Sequence, residues 1–258
     1  MKSWEIPWNL LGLRLVQLLG VSSGTRVLDV GTGIGSTLLA SLQCVGPTGY
    51  VVSLDTDQER ASYLSNELGK LNVLNSEVRL LNPEHIDVPH NYFDFVVSGF
   101  FGWDYCFDFA TNRFHSPDSI MKEIHRTLKP NGRLGISSWL LQSDMDLMEE
   151  CLGQISDKKL RSYSRESEEG WQTIMKNSQF DDFVLLPEVF TDNYPSLEIW
   201  WSEMARRGWK RSLLSLSKEM GISVEDIKMR AFEEVRRYCI PNGVPLTRKV
   251  LFIIATKN

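Results

Sequence analysis

Between Thr25 and Trp139 short apolar runs alternate with stretches whose apolar residues recur at helical spacing. The runs predict strands at Thr25–Val30, Tyr50–Asp55, Val78–Leu81, Phe93–Ser98 and Arg133–Trp139. Leu38, Leu39, Leu42 and Val45 mark the helix after the first of them. Gly46-Pro47-Thr48-Gly49 and Lys129-Pro130-Asn131-Gly132 read as turns that launch strands. Ser116-Pro117-Asp118 reads as a helix start, with a helix running to about Leu128. Past Trp139 the pattern loosens. It predicts helices over Asp144–Leu160 and from Ser167, where Glu168 and Glu169 suit the positive helix end. A sixth strand follows at Phe183–Val189, then helices from Pro195 to Tyr238 with Ser223 and Asp226 as a capped start. Lys249–Ala255 is the seventh strand. Alternating strands and helices predict an α/β, doubly wound sheet with helices on both faces. The expected organisation is an N-terminal helical segment (1–24), a core (25–194), a helical cap (195–243) and a final core strand (244–258).

Composition narrows the partners. The 258 residues are 42% hydrophobic and 24% charged with a net charge of −5, which suits a soluble globular protein and gives no overall pull toward nucleic acid or anionic lipid. Cys44, Cys106, Cys151 and Cys239 are scattered without a C-x-x-C pair, which fits a reducing cytoplasm and predicts neither a disulfide framework nor a metal site. Trp4, Glu5 and Pro7 break any signal-peptide core. The longest clean apolar run, Val250–Ala255, is too short to span a bilayer.

The chemistry concentrates at Thr25–Ser36, TRVLDVGTGIGS. A buried strand ends in glycines that let the backbone approach a ligand, and a helix opens behind them. A dinucleotide fingerprint wants a third glycine or alanine where Ser36 stands. Asp29, inside the strand, suits a ligand with its own cation, such as the amino group of a methionine moiety. Asp55 ends the second strand 24 residues after Gly31. Its carboxylate suits ribose hydroxyls; the alternative is a cap for the helix that begins after Thr56, Asp57 and Gln58.

The V-L-D-V-G-x-G-x-G run from Val27 to Gly35 resembles the first motif of the class I S-adenosylmethionine-dependent methyltransferases. The resemblance implies a Rossmann-like, seven-stranded, mostly parallel sheet. The last strand would lie antiparallel beside the fifth, and a helical insertion between the last two strands would cover the active-site edge. It also implies that Asp29, Gly31, Thr32, Gly33 and Gly35 hold the methionine end of the cofactor and that Asp55, with Thr56, holds the ribose. Leu81–Val96 is similar to the segment G-D-A-E-x-L-P followed by F-D-x-V, with Glu84 and Phe93-Asp94 matching. Asn82 then falls at the adenine-contacting position. Pro83 falls where the family often offers a backbone N–H, which proline lacks, so either adenine is held differently or the register differs by one. Leu128-Lys129-Pro130-Asn131-Gly132-Arg133 resembles the family's L-K-P-G-G turn, and Asn131 tolerates a positive φ. The likeness covers about Thr25–Trp139.

Ser98 and Gly99, at the end of the fourth strand, are expected cofactor-binding residues, and a methyl acceptor belongs beyond them. The Asn/Asp-Pro-Pro-aromatic signature of enzymes that methylate nucleic-acid amines is absent there, which points to a small-molecule acceptor. Phe100, Trp103, Tyr105 and Trp139 are the expected pocket residues, with plain core packing as the alternative. Methyl transfer needs a base only for a protonated acceptor; Asp104, Tyr105 and His115 are the nearby candidates, and His125 reads as structural. Trp4 and Trp8 flank a first helix that docks on the sheet or covers the cofactor. Trp200, Trp201 and Trp209, interleaved with Arg206, Arg207, Lys210 and Arg211, read as an amphipathic cap, with a partner or membrane face as the alternative. The expected function is cytoplasmic methyl transfer to a small molecule. The alternative is a non-catalytic protein that binds the cofactor or its product as a sensor or scaffold.

Overall fold

Val27, Leu28 and Val30 are fully buried although successive residues face opposite sides of a strand, as in a strand covered on both faces. Strand β1 (Arg26–Val30) pairs in parallel with β2 (Tyr50–Asp55), and β2 with β3 (Ser76–Leu80). On its other side β1 pairs in parallel with β4 (Phe93–Gly99). A small antiparallel hairpin, β5 (Phe107–Asp108) and β6 (Arg113–Phe114), follows. Three long strands complete the sheet: β7 (Leu128–Gln142), β8 (Asp182–Tyr194) and β9 (Val244–Thr256), in the order β3-β2-β1-β4-β7-β9-β8. Asn131 N–H donates to Lys257 O (2.8 Å) and Lys257 N–H to Gly132 O (2.9 Å). These bonds join the start of β7 to the end of β9, so the last strand is antiparallel beside its neighbour, as the resemblance implied. The computed structural model describes residues 5–82, 85–115, 120–156 and 166–258.

The predicted turn before the fifth core strand is absorbed into β7. Phe93 pairs with Leu128 and Phe95 with Arg133, so two steps along β4 face five along β7. Asn131 takes up the excess at φ 62°, a conformation asparagine adopts at little cost.

The helices are α1 (Trp8–Leu19), α2 (Ser36–Val45), α3 (Gln58–Lys70), α4 (Ile120–Thr127) and α5 (Ser143–Ser156). After them come α6 (Glu168–Asn177), α7 (Leu197–Met204), α8 (Lys210–Met220) and α9 (Val224–Val235). Ser167 caps α6, and Ser223 with Asp226 forms a reciprocal capping box on α9, both as the sequence predicts. The predicted start at Ser116-Pro117-Asp118 lies outside the described residues. No helix among the described residues is long and apolar enough to cross a membrane.

The described residues fall into two compact units. The sheet unit comprises Pro7–Trp139, Glu166–Glu188 and Val250–Asn258; the helical unit comprises Met1–Ile6, Leu140–Arg165 and Val189–Lys249. These bounds differ from the expected segments at both ends. Helix α1 belongs to the sheet unit, where Leu15 and Leu19 lie over Gly135 of β7. Helix α5 belongs to the helical unit, because Met145, Met148 and Leu152 share one apolar cluster with Trp200, Trp209 and Phe232.

Candidate functional site

The site of the sheet unit is a cleft of about 340 Å³ at the carboxyl ends of β1, β2 and β4, flanked by Ser137 of β7, the edge where open α/β sheets bind ligands. The glycine loop forms its floor. Gly31 and Thr32 donate their N–H groups to Leu54 O (2.8 and 2.9 Å), which folds the loop across the end of β2. A Cβ on Gly31, at φ +77°, would stand 2.3 Å from the Phe101 ring, so only glycine fits there. Gly35 caps α2 in the left-handed conformation without a side-chain acceptor. The first turn of α2 therefore has no side-chain cap on its N–H groups, and two of its residues, Ser36 and Thr37, line the cleft.

Asp55 lines the cleft from the end of β2, and its side chain is only 3% exposed. Gly33 N–H donates to Oδ2 (2.8 Å), while Asp57 N–H (2.9 Å) and the Arg60 guanidinium (3.0 Å) donate to Oδ1. The glycine loop and the carboxylate thus position each other. The cap of α3 is Asp57, which accepts from Glu59 and Arg60 N–H.

The structure sorts the predicted residues. Gly31, Thr32, Gly33, Asp55, Thr56, Gly99 and Phe100 line the cleft together. Asp29 does not: it is fully buried behind the loop, where Thr37 Oγ1 donates to Oδ1 (2.7 Å) and Ser53 Oγ to Oδ2 (3.4 Å). Burial pushes its carboxyl up to about 6, against the pull of those hydroxyls. Ser98 is also buried, donating to Val30 O (2.9 Å), and exposed Asn82 is not among the lining residues. Pro83 and Glu84 lie outside the described residues, as does the side chain of Tyr105.

Of the expected acceptor residues, Phe100 lines the cleft at φ 52°, a strained conformation for a bulky side chain. Trp139 stacks on it with centroids 4.4 Å apart, and Trp8 meets both rings edge-on at 5.4 and 6.0 Å. Trp103 belongs to the core. It is fully buried, edge-on to Phe101 (5.3 Å) and Trp171 (5.5 Å). Neither Asp104 nor His115 lines the cleft; the His115 ring sits 3.0 Å from Asp104 O.

Sequence reasoning passed over Ser137, Phe101, Arg60 and Gly12 as cleft residues. The signal for Ser137 is its spacing: it stands two residues before Trp139 in a predicted strand and so shares its face. It also passed over Glu166, a buried carboxyl that accepts from Trp103 N–H (3.3 Å), Trp171 Nε1 (3.0 Å) and Ser138 Oγ. Burial pushes Glu166 up to about 7.

Comparison with known proteins places this geometry. The chain is 31% identical over 120 residues to the demethylmenaquinone methyltransferase of Lactobacillus johnsonii, covering 46% of this chain and 45% of that protein. It spans about half the length of the curated relatives it matches. Among solved structures, YcgJ from Bacillus subtilis superposes with a TM-score of 0.57 at 18% identity, over 96% of this chain and 98% of that one. A SAM-dependent methyltransferase from Aquifex aeolicus superposes with a TM-score of 0.51 at 23% identity, over 71% and 86% of the respective chains. These two likenesses concern the fold. The family model of the methyltransferase domain matches residues 21–183, which span the glycine loop, Asp55 and the cleft edge. The chain belongs to the methyltransferase-domain family, of the S-adenosylmethionine-dependent type that its glycine loop resembles.

Proposed function

We propose that this protein transfers a methyl group from S-adenosylmethionine to a small, flat, largely apolar acceptor bound in the sheet-unit cleft. The observation that carries the reading is the Asp55 carboxylate, buried at the cleft floor and anchored by the N–H of Gly33 in the glycine loop. Asp55 Oδ2 accepts one N–H and keeps a second lone pair for a ribose hydroxyl. Arg60, half exposed, holds Oδ1 from the other side. At the far end of the loop, the uncapped first turn of α2 suits the cofactor's carboxylate. Asp29 then acts through Thr37, fixing a hydroxyl that faces the cleft.

The bound cofactor supplies a methyl group activated by its sulfonium. The protein's own contribution is alignment and exclusion of water. Gly99 and the loop let backbone come close, while Trp8, Phe100 and Phe101 wall the cleft with apolar rings. Asp55 and Arg60 are the titratable side chains that line it among the described residues. Among the described residues no base stands at the aromatic end, so the reading favours an acceptor that reaches the site already deprotonated.

The aromatic wall and relatives named for a quinone substrate support a small conjugated acceptor. The net charge of −5 argues against a nucleic acid. A non-catalytic sensor finds no support among relatives named as methyltransferases. The test is turnover with S-adenosylmethionine against a panel of hydroquinones, naphthols and aryl amines, followed by release of S-adenosylhomocysteine. The reading expects at least one flat aromatic to turn over. Tight cofactor binding without turnover of any panel member would favour the sensor.

A further inference from the structure

Ser137 is 1% exposed, and its hydroxyl has no hydrogen-bond partner among the described residues. A buried hydroxyl left without a partner costs stability, and it calls for an explanation. Its place in the sheet supplies one. Ser137 is paired with Gly99, two residues beyond the Val97–Gly135 pair. Val97 in turn is paired with Asp29, so Ser137 projects on the face of Asp29 and α2. A Cβ on Gly99 would lie 2.9 Å from Thr37 Cγ2 and 3.7 Å from Ser137 Oγ. The missing side chain lets Thr37 pack close against the strand there, and Ser137 stands beside it on the cleft wall. Beside it stand Phe100, whose N–H donates to Ser137 O (2.9 Å), and the stacked Trp139.

The strand order sets Ser137 on β7 three strand spacings, about 14 Å, from Asp55 on β2. The hydroxyl therefore belongs to the end of the cleft away from the ribose carboxylate. We propose that Ser137 is the residue that positions the methyl acceptor, donating its O–H to an oxygen on the acceptor's conjugated ring system. This rests on the cleft being the methyl-transfer site. A single neutral donor cannot compensate a buried phosphate or carboxylate, which needs several donors or a cation. One oxygen on a flat, apolar molecule, with its charge delocalised, matches what the site offers. In the transfer, the acceptor's oxygen or conjugated carbon supplies the electron pair for the new bond to the methyl carbon. Sulfur keeps the pair of the bond that breaks. A hydroxyl proton on the acceptor leaves to solvent beforehand, and where carbon is methylated its C–H proton leaves to solvent after the new bond has formed, so Ser137 keeps its own.

The probes are 1-naphthol and 1-fluoronaphthalene, alike in shape but differing in the oxygen, titrated into the full chain with S-adenosylhomocysteine saturating. Ser137→Ala should weaken 1-naphthol about fivefold or more, the worth of one hydrogen bond, and change 1-fluoronaphthalene by less than about twofold. Its affinity for S-adenosylhomocysteine should be unchanged and its thermal midpoint equal or higher, because an unpartnered hydroxyl has gone. Ser137→Thr, which keeps the hydroxyl, should retain the preference for 1-naphthol. An unchanged preference in Ser137→Ala, equal loss of both probes, or failure of wild type to bind either would overturn the inference. So would weakened S-adenosylhomocysteine binding in Ser137→Ala, which would make the hydroxyl a cofactor contact. If the wild type binds no S-adenosylhomocysteine, the proposed function fails first and this inference with it.

Discussion

Each unit buries an aspartate completely, and the two are held in opposite ways. Asp29, in the sheet unit, meets hydroxyls from Thr37 and Ser53, and burial drives its carboxyl up to about 6. Asp144, in the helical unit, meets Arg207 Nη1 (2.5 Å), Arg248 Nη2 (2.9 Å) and Tyr194 OH (2.5 Å). Burial alone would raise it too, but the two guanidinium groups override that and keep it below the usual carboxylate range. Arg207 sits where the chain leaves helical geometry, at φ −89° and ψ 24° beside Gly208, and its other arm reaches Gln142 Oε1. The contrast separates two uses of a buried charge. Asp144 ties together three distant pieces of one unit; Asp29 orients a single hydroxyl at the cleft and bears the cost of desolvation.

The largest effect should come from breaking the ionic cluster. Asp144→Ala leaves two buried guanidinium groups facing each other and should cost about 3–5 kcal/mol of stability at neutral pH. Denaturant unfolding measures it, and a loss below about 1 kcal/mol would make the cluster incidental. Since Asp144 is held low, its stabilising contribution is present above the unfolded value of 3.8 and is lost as pH falls through the folded one.

Trp103→Ala separates core from cleft. Full burial against Phe101 and Trp171 predicts a loss of about 3–5 kcal/mol. Affinity for S-adenosylhomocysteine in the folded fraction should stay within about twofold of wild type. Weakened ligand binding with full stability would return Trp103 to the pocket.

A smaller effect, opposite in sign to that of Asp144, belongs to Asp29. Its folded carboxyl lies near 6 against 3.8. Its contribution is therefore fully present below the unfolded value and is lost as pH rises through the folded one. The stability of Asp29→Asn relative to wild type should improve by up to about 3 kcal/mol between pH 4 and pH 8. A difference that stays flat across that range would remove the contrast between the two aspartates.

How legible each feature was follows from how local its cause is. The glycine loop, Asp55 and the capping box at Ser223 were readable because a few consecutive residues determine them. The sequence pattern starts the fifth core strand at Arg133; its earlier start at Leu128 depends on the pairing with Phe93, and its next residues on bonds to Lys257, which no local pattern announces. At Asp29 the sequence pattern points to contact with a ligand. Strand alternation instead turns it under the first turn of α2, onto Thr37. The ionic cluster was invisible for the same reason of distance: Asp144 and Arg248 are 104 positions apart. The tryptophans of the late helices were read as a cap, and Trp200 and Trp209 are fully buried in their own unit's core.

The most direct test of the account is a calorimetric titration of the full chain with S-adenosylhomocysteine, wild type beside Asp55→Ala. The account predicts a single site in the wild type and a loss of more than about tenfold in the variant, the cost of removing charge-assisted hydrogen bonds to the ribose. Equal affinity in the two proteins, or no binding by the wild type, would contradict it.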